Sequence, residues 1–459
     1  MKTFTHVVVV GTGVSGIGAV SLLNRISERE EFKGLEITLY DGNDKLDRET
    51  VLAKLPVGAN VRLILGAMPD EEVAASDLLV ISPGVPIDSP IVETFKAAGV
   101  PVWGEIELAY NFELGTVYAI TGTNGKTTTT TLVGEIMKKY NEKTFVVGNI
   151  GTSYTGEVTK STADSISVAE ISSFQLETIH EFYPHGSAIL NITPDHLNRH
   201  YTMENYASVK ESITKNQWKK NPSDYCVLNR DDERLEAFGR TIPNPVWFSR
   251  KQKVERGAYL TGKEIHYVKD GVDQTVMTVD EMKLFGNHNY ENVMAAIAMT
   301  YEAGVPMEMI TGVIREFAGV EHRIEYVREK DGVVYYNDSK GTNPDSSIKA
   351  LEAMSRPTIL IAGGYDKHSE FDEFLEAFGT TVKLMVLLGV TADQIDATAR
   401  RHGFESILHV QSLKEAVQVC AEHAEPGDAV LLSPACASWD MFKSYEERGK
   451  LFKEYVNEL

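Results

Sequence analysis

The chain has 459 residues, with 45 basic and 66 acidic side chains and a formal net charge of −21. Because this length exceeds one hydrophobic core, we expect two or three domains, and the negative charge argues against nucleic acid or an anionic membrane as the main partner. Three scattered cysteines exclude a disulfide framework or a cysteine zinc site, and no signal peptide is recognisable, so we expect a cytoplasmic protein.

A glycine-rich turn near the N-terminus, Gly11-Thr-Gly-Val-Ser-Gly16, follows an apolar run at residues 7–10 and opens a helical pattern. It has the form of the dinucleotide-binding fingerprint, and Asp41 closes the next predicted strand. Ser82-Pro-Gly84 ends another strand of this region, so it would lie along the same carboxyl edge. NAD, FAD and a UDP-sugar all offer a pyrophosphate and a ribose. The turn therefore predicts a nucleotide-diphosphate site without fixing its ligand.

A second glycine-rich turn, Thr121-Gly-Thr-Asn-Gly-Lys-Thr127, lies between an apolar run at residues 117–120 and a helical pattern. Such a turn directs several backbone N–H groups toward one point at a helix N-terminus, where the helix dipole favours a phosphate. Lys126 adds a positive charge for the outer phosphates, and Thr127 adds a hydroxyl for a magnesium ion. Thr121 stands where the general pattern has glycine, but the strand, the turn and the helix together still predict a phosphate loop.

Two further side chains follow predicted strands and suit a metal ion. Glu170 follows the apolar run at residues 166–169, and His196 follows the run at residues 188–191. An acid at a strand end beside a phosphate loop is a typical magnesium ligand, and His196 is a candidate second ligand. Two magnesium ions would reduce the repulsion between a triphosphate and an attacking carboxylate, and would stabilise the transferred phosphoryl group.

Short apolar runs alternate with helical patterns along the whole chain, which is the βαβ signature of parallel, doubly wound sheets. We place domain boundaries near residues 105 and 320, and short alternating segments between 240 and 283 predict a few extra strands on the central domain. The predicted strands are residues 7–10, 37–40, 78–81, 117–120, 145–147, 166–169, 188–191, 225–228, 333–336, 358–361, 384–388 and 429–432.

Eight segments of the chain resemble motifs of the Mur ligase family and occur in the family's order. One such motif would be a weak indication, whereas eight in order are specific. The tail at residues 432–442 adds to the likeness, so the resemblance covers essentially the whole chain. The motifs are residues 121–127, 148–151, 170–177, 191–196, 286–292, 322–323, 337–343 and 363–367.

The resemblance implies an α/β protein of three domains, each built on a mainly parallel sheet. A Rossmann-like domain at residues 1–105 would bind a UDP substrate, a P-loop ATPase-like domain at 106–319 would bind ATP, and a second Rossmann-like domain at 320–459 would bind an amino acid. The implied activity is that of an ATP-dependent acid–D-amino-acid ligase. It would add D-glutamate to UDP-N-acetylmuramoyl-L-alanine through an acyl phosphate, in peptidoglycan precursor synthesis. The implied partners are these substrates, ATP and two Mg²⁺ ions, without nucleic acid or membrane, and we expect a monomer.

The resemblance also implies which residues carry the phosphate chemistry, with Lys126, His196 and Lys210 as catalytic residues. Thr127 and Glu170 would hold one Mg²⁺, and His196 would help to hold the second. Lys210 falls where the family has a carbamylated lysine, whose CO₂ adduct is a carboxylate that can bind Mg²⁺. The implied ATP-binding residues are Gly122, Thr123, Asn124, Gly125, Lys126, Thr127, Thr128, Asn289, Asn292, Arg323 and Asp338.

The remaining implied residues contact the two substrates that are to be joined. Under the resemblance, the N-terminal glycine turn becomes the pyrophosphate site of UDP, with Asp41 near the uridine. A lysine and hydroxyls suit the two carboxylates of D-glutamate. The residues implied for the UDP substrate are Thr12, Gly13, Val14, Ser15, Asp41, Gly42, Ser82, Gly84, Asn149, Ser172 and His196. Those implied for D-glutamate are Lys340, Thr342, Lys367, Ser438 and Tyr445.

Three alternative functions are weighed against this one. A nicotinamide-dependent oxidoreductase would explain the N-terminal turn and Asp41, but would leave the phosphate loop, Glu170 and His196 without a role. A regulatory nucleotide-binding module without catalysis is disfavoured by the intact set of Lys126, Glu170, His196 and Lys210. A folylpolyglutamate synthetase is disfavoured because that relative begins close to its phosphate loop, whereas a whole predicted domain precedes the loop here.

Overall fold

Three separate β-sheets organise the chain in the computed structural model, which describes residues 3–150, 152–284, 286–365 and 369–459. The chain divides into two units, residues 1–281 with 291–315 and residues 282–290 with 316–459. The first two sheets lie in the first unit and the third sheet lies in the second unit. Among the described residues, none of the helices combines the length and the apolar composition needed to cross a membrane.

The first sheet is entirely parallel. Its strands are β1 His6–Val10, β2 Glu36–Asp41, β3 Arg62–Leu65, β4 Leu78–Ile81 and β5 Val102–Gly104. The helices of this region are α1 Val14–Ile26, α2 Arg48–Leu52, α3 Asp70–Ala75, α4 Pro90–Ala97 and α5 Glu105–Tyr110. The order across the sheet is β3-β2-β1-β4-β5. The central strand β1 is buried on both faces, which explains why its sequence is a continuous run of valines instead of an alternating pattern.

The second sheet carries the phosphate loop. Its strands are β6 Thr116–Thr121, β7 Thr144–Gly148, β8 Ile166–Glu170, β9 Gly186–Ile189, β10 Tyr225–Asn229, β11 Pro245–Ser249, β12 Gly257–Thr261, β13 Glu264–Lys269 and β14 Val272–Thr278. The helices are α6 Lys126–Tyr140, α7 Tyr154–Glu157, α8 Ser173–Leu176, α9 Leu197–His200, α10 Met203–Glu211, α11 Glu233–Gly239, α12 Asn287–Glu302 and α13 Met307–Glu316. The order is β14-β13-β12-β11-β10-β9-β6-β8-β7, and the strands are parallel except for the antiparallel run from β12 to β14.

The third sheet is again mainly parallel. Its strands are β15 Glu325–Lys330, β16 Val333–Asn337, β17 Thr358–Ala362, β18 Val382–Leu387, β19 Ile407–His409 and β20 Ala429–Leu432. The helices are α14 Pro344–Glu352, α15 Asp372–Glu376, α16 Ala392–Arg401, α17 Leu413–His423 and α18 Tyr445–Glu458. The order is β15-β16-β20-β17-β18-β19, with only the β15–β16 pair antiparallel among these strands. The last strand β20 lies between β16 and β17, so their carboxyl ends form one edge.

The predicted α/β class with mainly parallel sheets is confirmed, and each predicted strand overlaps an observed one. The strand predicted at residues 188–191 is wrong by two residues, because β9 begins at Gly186 and ends at Ile189. The aromatic rings of Tyr118 and Tyr225 come so close to Gly186 that a Cβ there would lie 2.6 Å from the Tyr225 ring. Glycine is therefore needed at this point. Because glycine has no apolar side chain, the apolar run in the sequence begins later than the strand itself. The domain boundaries at 105 and 320 stay predictions.

Candidate active site

The turn between β6 and α6 leaves the start of a 15-residue helix without a side-chain cap. Gly122 has φ +150° and Gly125 has φ +81°, values that L side chains rarely adopt. A Cβ on Gly125 would also lie 2.2 Å from Oδ1 of Asn292, so glycine is required there for space as well as for conformation. The uncapped N–H groups of the first turn of α6 form an anion site.

The segment after β9 holds this turn in shape. The backbone N–H of Asn124 donates to Oδ1 of Asn191 over 2.8 Å, and the N–H of Thr123 donates to the carbonyl of Asn191 over 2.9 Å. The hydroxyl of Thr123 lies 3.1 Å from that of Tyr206. Asn191 and Tyr206 are absent from the predicted site residues, although Asn191 begins one of the eight motifs. They fix the loop before any ligand binds.

Two lysines meet at one carbonyl oxygen of the loop. Lys126 Nζ and Lys210 Nζ each donate to the carbonyl of Gly122 over 2.8 Å, and Lys126 also donates to the carbonyl of Thr123. Lys210 is only 1% exposed. Burial, followed by the nearby charge of Lys126, places the pKa of Lys210 well below its usual value. A lysine in this position favours the neutral amine, which is the form that reacts with CO₂.

Glu170 has the surroundings of a cation ligand. It ends β8 opposite Ile120 and Gly148, at the same sheet edge as the phosphate loop. It is 1% exposed, and its Oε1 accepts from Nδ2 of Asn149 over 2.9 Å, while its Oε2 has no hydrogen-bond partner among the described residues. A buried carboxylate oxygen without a partner is costly unless a cation completes it, so Glu170 and the Thr127 hydroxyl on α6 fit Mg²⁺.

His196 lies on the segment after β9, where its backbone is strained, and it is the N-cap residue that precedes α9. Its φ of +52° is uncommon for a residue with a side chain, and such outliers concentrate at functional sites. The side chain is 47% exposed, with Nε2 3.4 Å from Oδ2 of Asp195 and the ring packed against Phe174. Within the described part of the chain, no group of three or more His, Cys, Asp or Glu side chains forms a metal site. A metal here therefore depends on the mixed set of Thr127, Glu170, His196 and Lys210.

The N-terminal turn at residues 11–16 is held in shape by close packing and by hydrogen bonds. A Cβ on Gly16 would lie 1.9 Å from the carbonyl of Gly11, so the third glycine of the motif permits close packing of turn and helix. Asp41 accepts from the Thr12 hydroxyl over 2.9 Å and from the backbone N–H of Asn43 over 3.1 Å. Since β2 and β4 flank β1, the predicted residues at their ends are brought to one edge. The exposed or partly exposed ones are Gly13, Val14, Ser15, Asp41, Gly42, Ser82 and Gly84.

Asn149 and Ser172 occupy neighbouring strand ends in the central sheet. Asn149 follows β7, and its side chain and backbone N–H both bond to Glu170. Ser172 caps α8 in a capping box: its hydroxyl accepts from the N–H of Gln175, whose side chain in turn accepts from the N–H of Ser172. Ser172 is therefore a structural cap as well as a candidate substrate contact.

The predicted ATP-binding residues outside the phosphate loop have different surroundings. Asn292 lies directly behind the phosphate loop, where its Oδ1 accepts from the Thr129 hydroxyl over 3.3 Å. Asn289 is buried in the first turn of α12. In the second unit, the Nε of Arg323 is buried and has no hydrogen-bond partner within the described residues, which suits a contact with an anion.

Asp338 follows β16 and is buried, with 4% of its surface exposed. Its Oδ2 accepts from the Ser433 hydroxyl over 2.7 Å, and its Oδ1 accepts from the N–H of Ile324 over 3.2 Å. Burial raises the pKa of Asp338 to about 7 despite these bonds and the nearby charge of Arg323. Asp338 therefore ties the loops of the third sheet together.

Four of the five predicted D-glutamate residues are described, and they follow strands of the third sheet or begin a helix beside it. Lys340 and Thr342 follow β16, Ser438 follows β20, and Tyr445 begins α18. Lys367 lies outside the described residues.

Arg448 braces the loops that follow β16 and β20 and is absent from the sequence predictions. It donates to the carbonyl of Ser339 over 2.8 Å and to that of Cys436 over 3.2 Å, and burial lowers its pKa to about 10. In the sequence it resembles any charged helix residue, so no local signal reveals it.

Three domain models of one family match the chain. The Mur ligase MurD-like N-terminal domain matches residues 5–104, the Mur ligase middle domain matches 120–300, and the Mur ligase glutamate ligase domain matches 322–436. Two solved structures share the fold at low identity. UDP-N-acetylmuramate-alanine ligase of Thermotoga maritima has a TM-score of 0.58 at 19% identity over 99% of both chains. The MurF ligase of that organism in complex with ADP has 0.57 at 16% identity, over 92% of this chain and 95% of that one.

Full-length relatives are much closer in sequence. The UDP-N-acetylmuramoylalanine–D-glutamate ligase of Lachnospira eligens is 59% identical over 99% of this chain and 98% of the relative. The enzymes of the same name from Lachnoclostridium phytofermentans and Clostridioides difficile are 52% and 46% identical over the same shares. Because the domain models and these relatives span the chain from end to end, it belongs to the Mur ligase family.

Proposed function

We propose that this Mur ligase joins D-glutamate to UDP-N-acetylmuramoyl-L-alanine in an ATP-dependent step of peptidoglycan precursor synthesis. The observation that carries the proposal is the phosphate loop, where Lys126 and Lys210 share one carbonyl and the buried Glu170 keeps an oxygen without a partner among the described residues. The substrates are those of the D-glutamate ligases after which relatives 59% and 52% identical over 99% of the chain are named.

The proposed reaction begins with ATP on the phosphate loop. The N–H groups at the start of α6 and the Lys126 ammonium bind the β- and γ-phosphates. The carboxylate of the alanine residue attacks the γ-phosphorus, which forms an acyl phosphate and releases ADP. The amine of D-glutamate then attacks the acyl carbon, and the tetrahedral intermediate collapses to an amide and inorganic phosphate. Phosphorylation is needed because a free carboxylate has no good leaving group.

The side chains around the loop suit two Mg²⁺ ions. Thr127 and Glu170 would hold one ion, and His196 with carbamylated Lys210 would hold the other. When bound, these ions supply Lewis-acid stabilisation of the phosphoryl charge. The depressed pKa of buried Lys210 supports carbamylation, because the neutral amine attacks CO₂.

Replacement of Lys210 tests this role. We expect Lys210→Ala to lose most activity and to regain part of it when short carboxylic acids are added, since they can replace the carbamate in the cavity. Phosphate release measures the rescue, and Lys215→Ala on the same segment is the control. A correctly folded variant that no acid rescues would contradict the carbamate.

The other predicted residues complete the proposal. The braced turn at residues 11–16 with Asp41 and Ser82 holds the UDP part, and Asn149 and Ser172 meet the muramoyl-alanine part. Asn289 and Asn292 contact the adenine side of ATP, Arg323 contacts its phosphates, and Asp338 contacts its ribose. The residues proposed to bind D-glutamate are Lys340, Thr342, Lys367, Ser438 and Tyr445. We further propose that the protein acts as a monomer in the cytoplasm.

A substrate panel tests the function directly. Phosphate release is measured with ATP, Mg²⁺ and UDP-N-acetylmuramoyl-L-alanine against a set of D- and L-amino acids, with the product identified by mass. We expect release only with D-glutamate, and the product mass must equal both substrates less one water. Equal release with other amino acids, or none with D-glutamate, would refute the proposal. Binding of NADH in a parallel fluorescence titration would instead favour an oxidoreductase.

A further inference from the structure

Glu105 is a buried carboxylate that none of the steps above uses. It begins α5, directly after the last strand of the first sheet, and is 4% exposed. Its Oε1 accepts from Nε2 of Gln175 over 2.8 Å, across to the central sheet region, while its Oε2 has no partner among the described residues. The two regions approach closely here, because a Cβ on Gly104 would lie 2.3 Å from the Thr178 hydroxyl.

The other end of the Gln175 amide bonds to Ser172. Gln175 Oε1 accepts from the backbone N–H of Ser172 over 2.8 Å and from its hydroxyl over 3.0 Å. A backbone N–H can only donate, and the Glu105 oxygen that faces Gln175 accepts. A reversed amide would therefore place donor against donor at one end and acceptor against acceptor at the other. Glu105 and the Ser172 N–H together fix the orientation of Gln175.

This orientation determines what Ser172 offers to a ligand. A hydroxyl has one hydrogen and two lone pairs. The hydrogen of Ser172 is used by Gln175 Oε1, and one lone pair accepts from the N–H of Gln175 over 3.3 Å. One lone pair remains on a half-buried side chain. Ser172 is thus set as an acceptor, and the group that it recognises must be a donor.

We propose that Glu105 is a positioning residue that acts through Gln175 to present Ser172 Oγ as the acceptor for an amide N–H of the muramoyl-alanine substrate. The inference rests on the proposed function, because that substrate has amide N–H groups. Burial raises the pKa of Glu105 to about 7, but a proton on Oε2 leaves Oε1 able to accept. The hydrogen bond from Gln175 to Glu105 therefore requires the Oε1 atom but not a negative charge on the carboxyl group.

Two substitutions of Glu105 distinguish the effect of losing the acceptor oxygen from the effect of losing the negative charge. We expect Glu105→Leu to raise KM for the UDP substrate roughly tenfold, the scale for losing an oriented hydrogen bond, with KM for ATP unchanged. Glu105→Gln keeps an oxygen that can face Gln175, so its KM stays within about threefold of the wild type. Gln175→Met removes the same link from the other side. Its KM for the UDP substrate should rise as much as that of Glu105→Leu. It provides the test if the leucine variant does not fold.

A double-mutant cycle with Ser172→Ala distinguishes positioning from general damage. If Glu105 acts through Ser172, Glu105→Leu adds no further rise in KM once Ser172 is alanine. Glu107 provides the control, because it lies on the same helix and accepts from the N–H groups of residues 180–182 without touching the link. Glu107→Gln should lower the melting temperature and leave the ratio of the two KM values unchanged.

The outcomes also separate this inference from the proposed function. Wild-type protein that forms no amide product refutes the function itself. If the wild type is active, three results would refute only the positioning role of Glu105. In the first, Glu105→Leu and Gln175→Met leave KM for the UDP substrate unchanged. In the other two, they raise KM for ATP and for the UDP substrate equally, or their effect adds fully to that of Ser172→Ala.

Discussion

The two glycine-rich turns have the same strand–turn–helix setting, but they differ in how their polar side chains are hydrogen-bonded. At residues 11–16, Thr12 bonds to Asp41, and the Ser82 hydroxyl donates to the carbonyl of Val10. At residues 121–127, two lysines share the carbonyl of Gly122, and the nearby Glu170 has an oxygen without a partner in the described part of the chain.

This difference separates a binding platform from a reaction site. A turn whose side chains are already paired holds its shape and contributes backbone N–H groups to a ligand. A buried site that brings two lysine amines and an unpaired carboxylate oxygen together would be stabilised by bound phosphates and cations. Such a site lowers stability in exchange for activity.

Lys126→Ala tests the reaction site most severely. Turnover should fall by at least ~10²-fold, the scale for losing a preorganised charge donor. Phosphate release measures the loss, and Lys138→Ala, at the exposed end of the same helix, should have near-normal activity. Near-normal turnover of Lys126→Ala would contradict the proposal that the turn at residues 121–127 is the reaction site.

Asp338→Asn extends the comparison to the third sheet, where an aspartate follows a strand as Asp41 ends β2. The pKa of Asp338 is about 7 in the folded protein, so between about pH 4 and 7 only the folded state holds this proton. Unfolding then releases a proton, and the stability of the wild type falls as the pH rises through this window. Asparagine does not titrate. Relative to the wild type, the variant should gain about 3 kcal/mol between pH 5 and 8 in urea unfolding, and a constant difference would contradict the buried acid.

Glu170→Gln tests whether the unpaired oxygen awaits a cation. The Mg²⁺ concentration for half-maximal activity should rise about tenfold, because a carboxylate ligand is replaced by a neutral amide. Thermal stability should be equal or higher, since a buried charge is removed. A loss of stability with unchanged Mg²⁺ dependence would show that Glu170 is only structural.

Thr12→Val tests the braced turn and should have the smallest effect. It removes one hydrogen bond to Asp41 but leaves the backbone N–H groups in place, so KM for the UDP substrate should rise about threefold with kcat unchanged. Steady-state kinetics with each substrate varied in turn measures it. A large fall in kcat would show that this turn also takes part in the chemistry.

Much of the fold could be predicted because its signals are local. Runs such as Val7–Val10 in β1 and Ile166–Ala169 in β8 are buried on both faces and therefore continuously apolar. The strands missed from the sequence are short, exposed or partly charged, as in β15 with four charged residues among its six. At a sheet edge, such residues face water while the backbone still pairs.

The sequence alone determined the sheet type, the two turns and the strand-end position of Glu170, because each depends on residues within one strand, turn and helix. Only the tertiary structure decided that Lys210 is buried against Gly122, that Arg448 braces two loops, and that Glu105 reaches Ser172 through Gln175. These groups lie up to 109 positions from their partners in the chain. Burial and hydrogen bonding across such separations follow from packing, which no local pattern records.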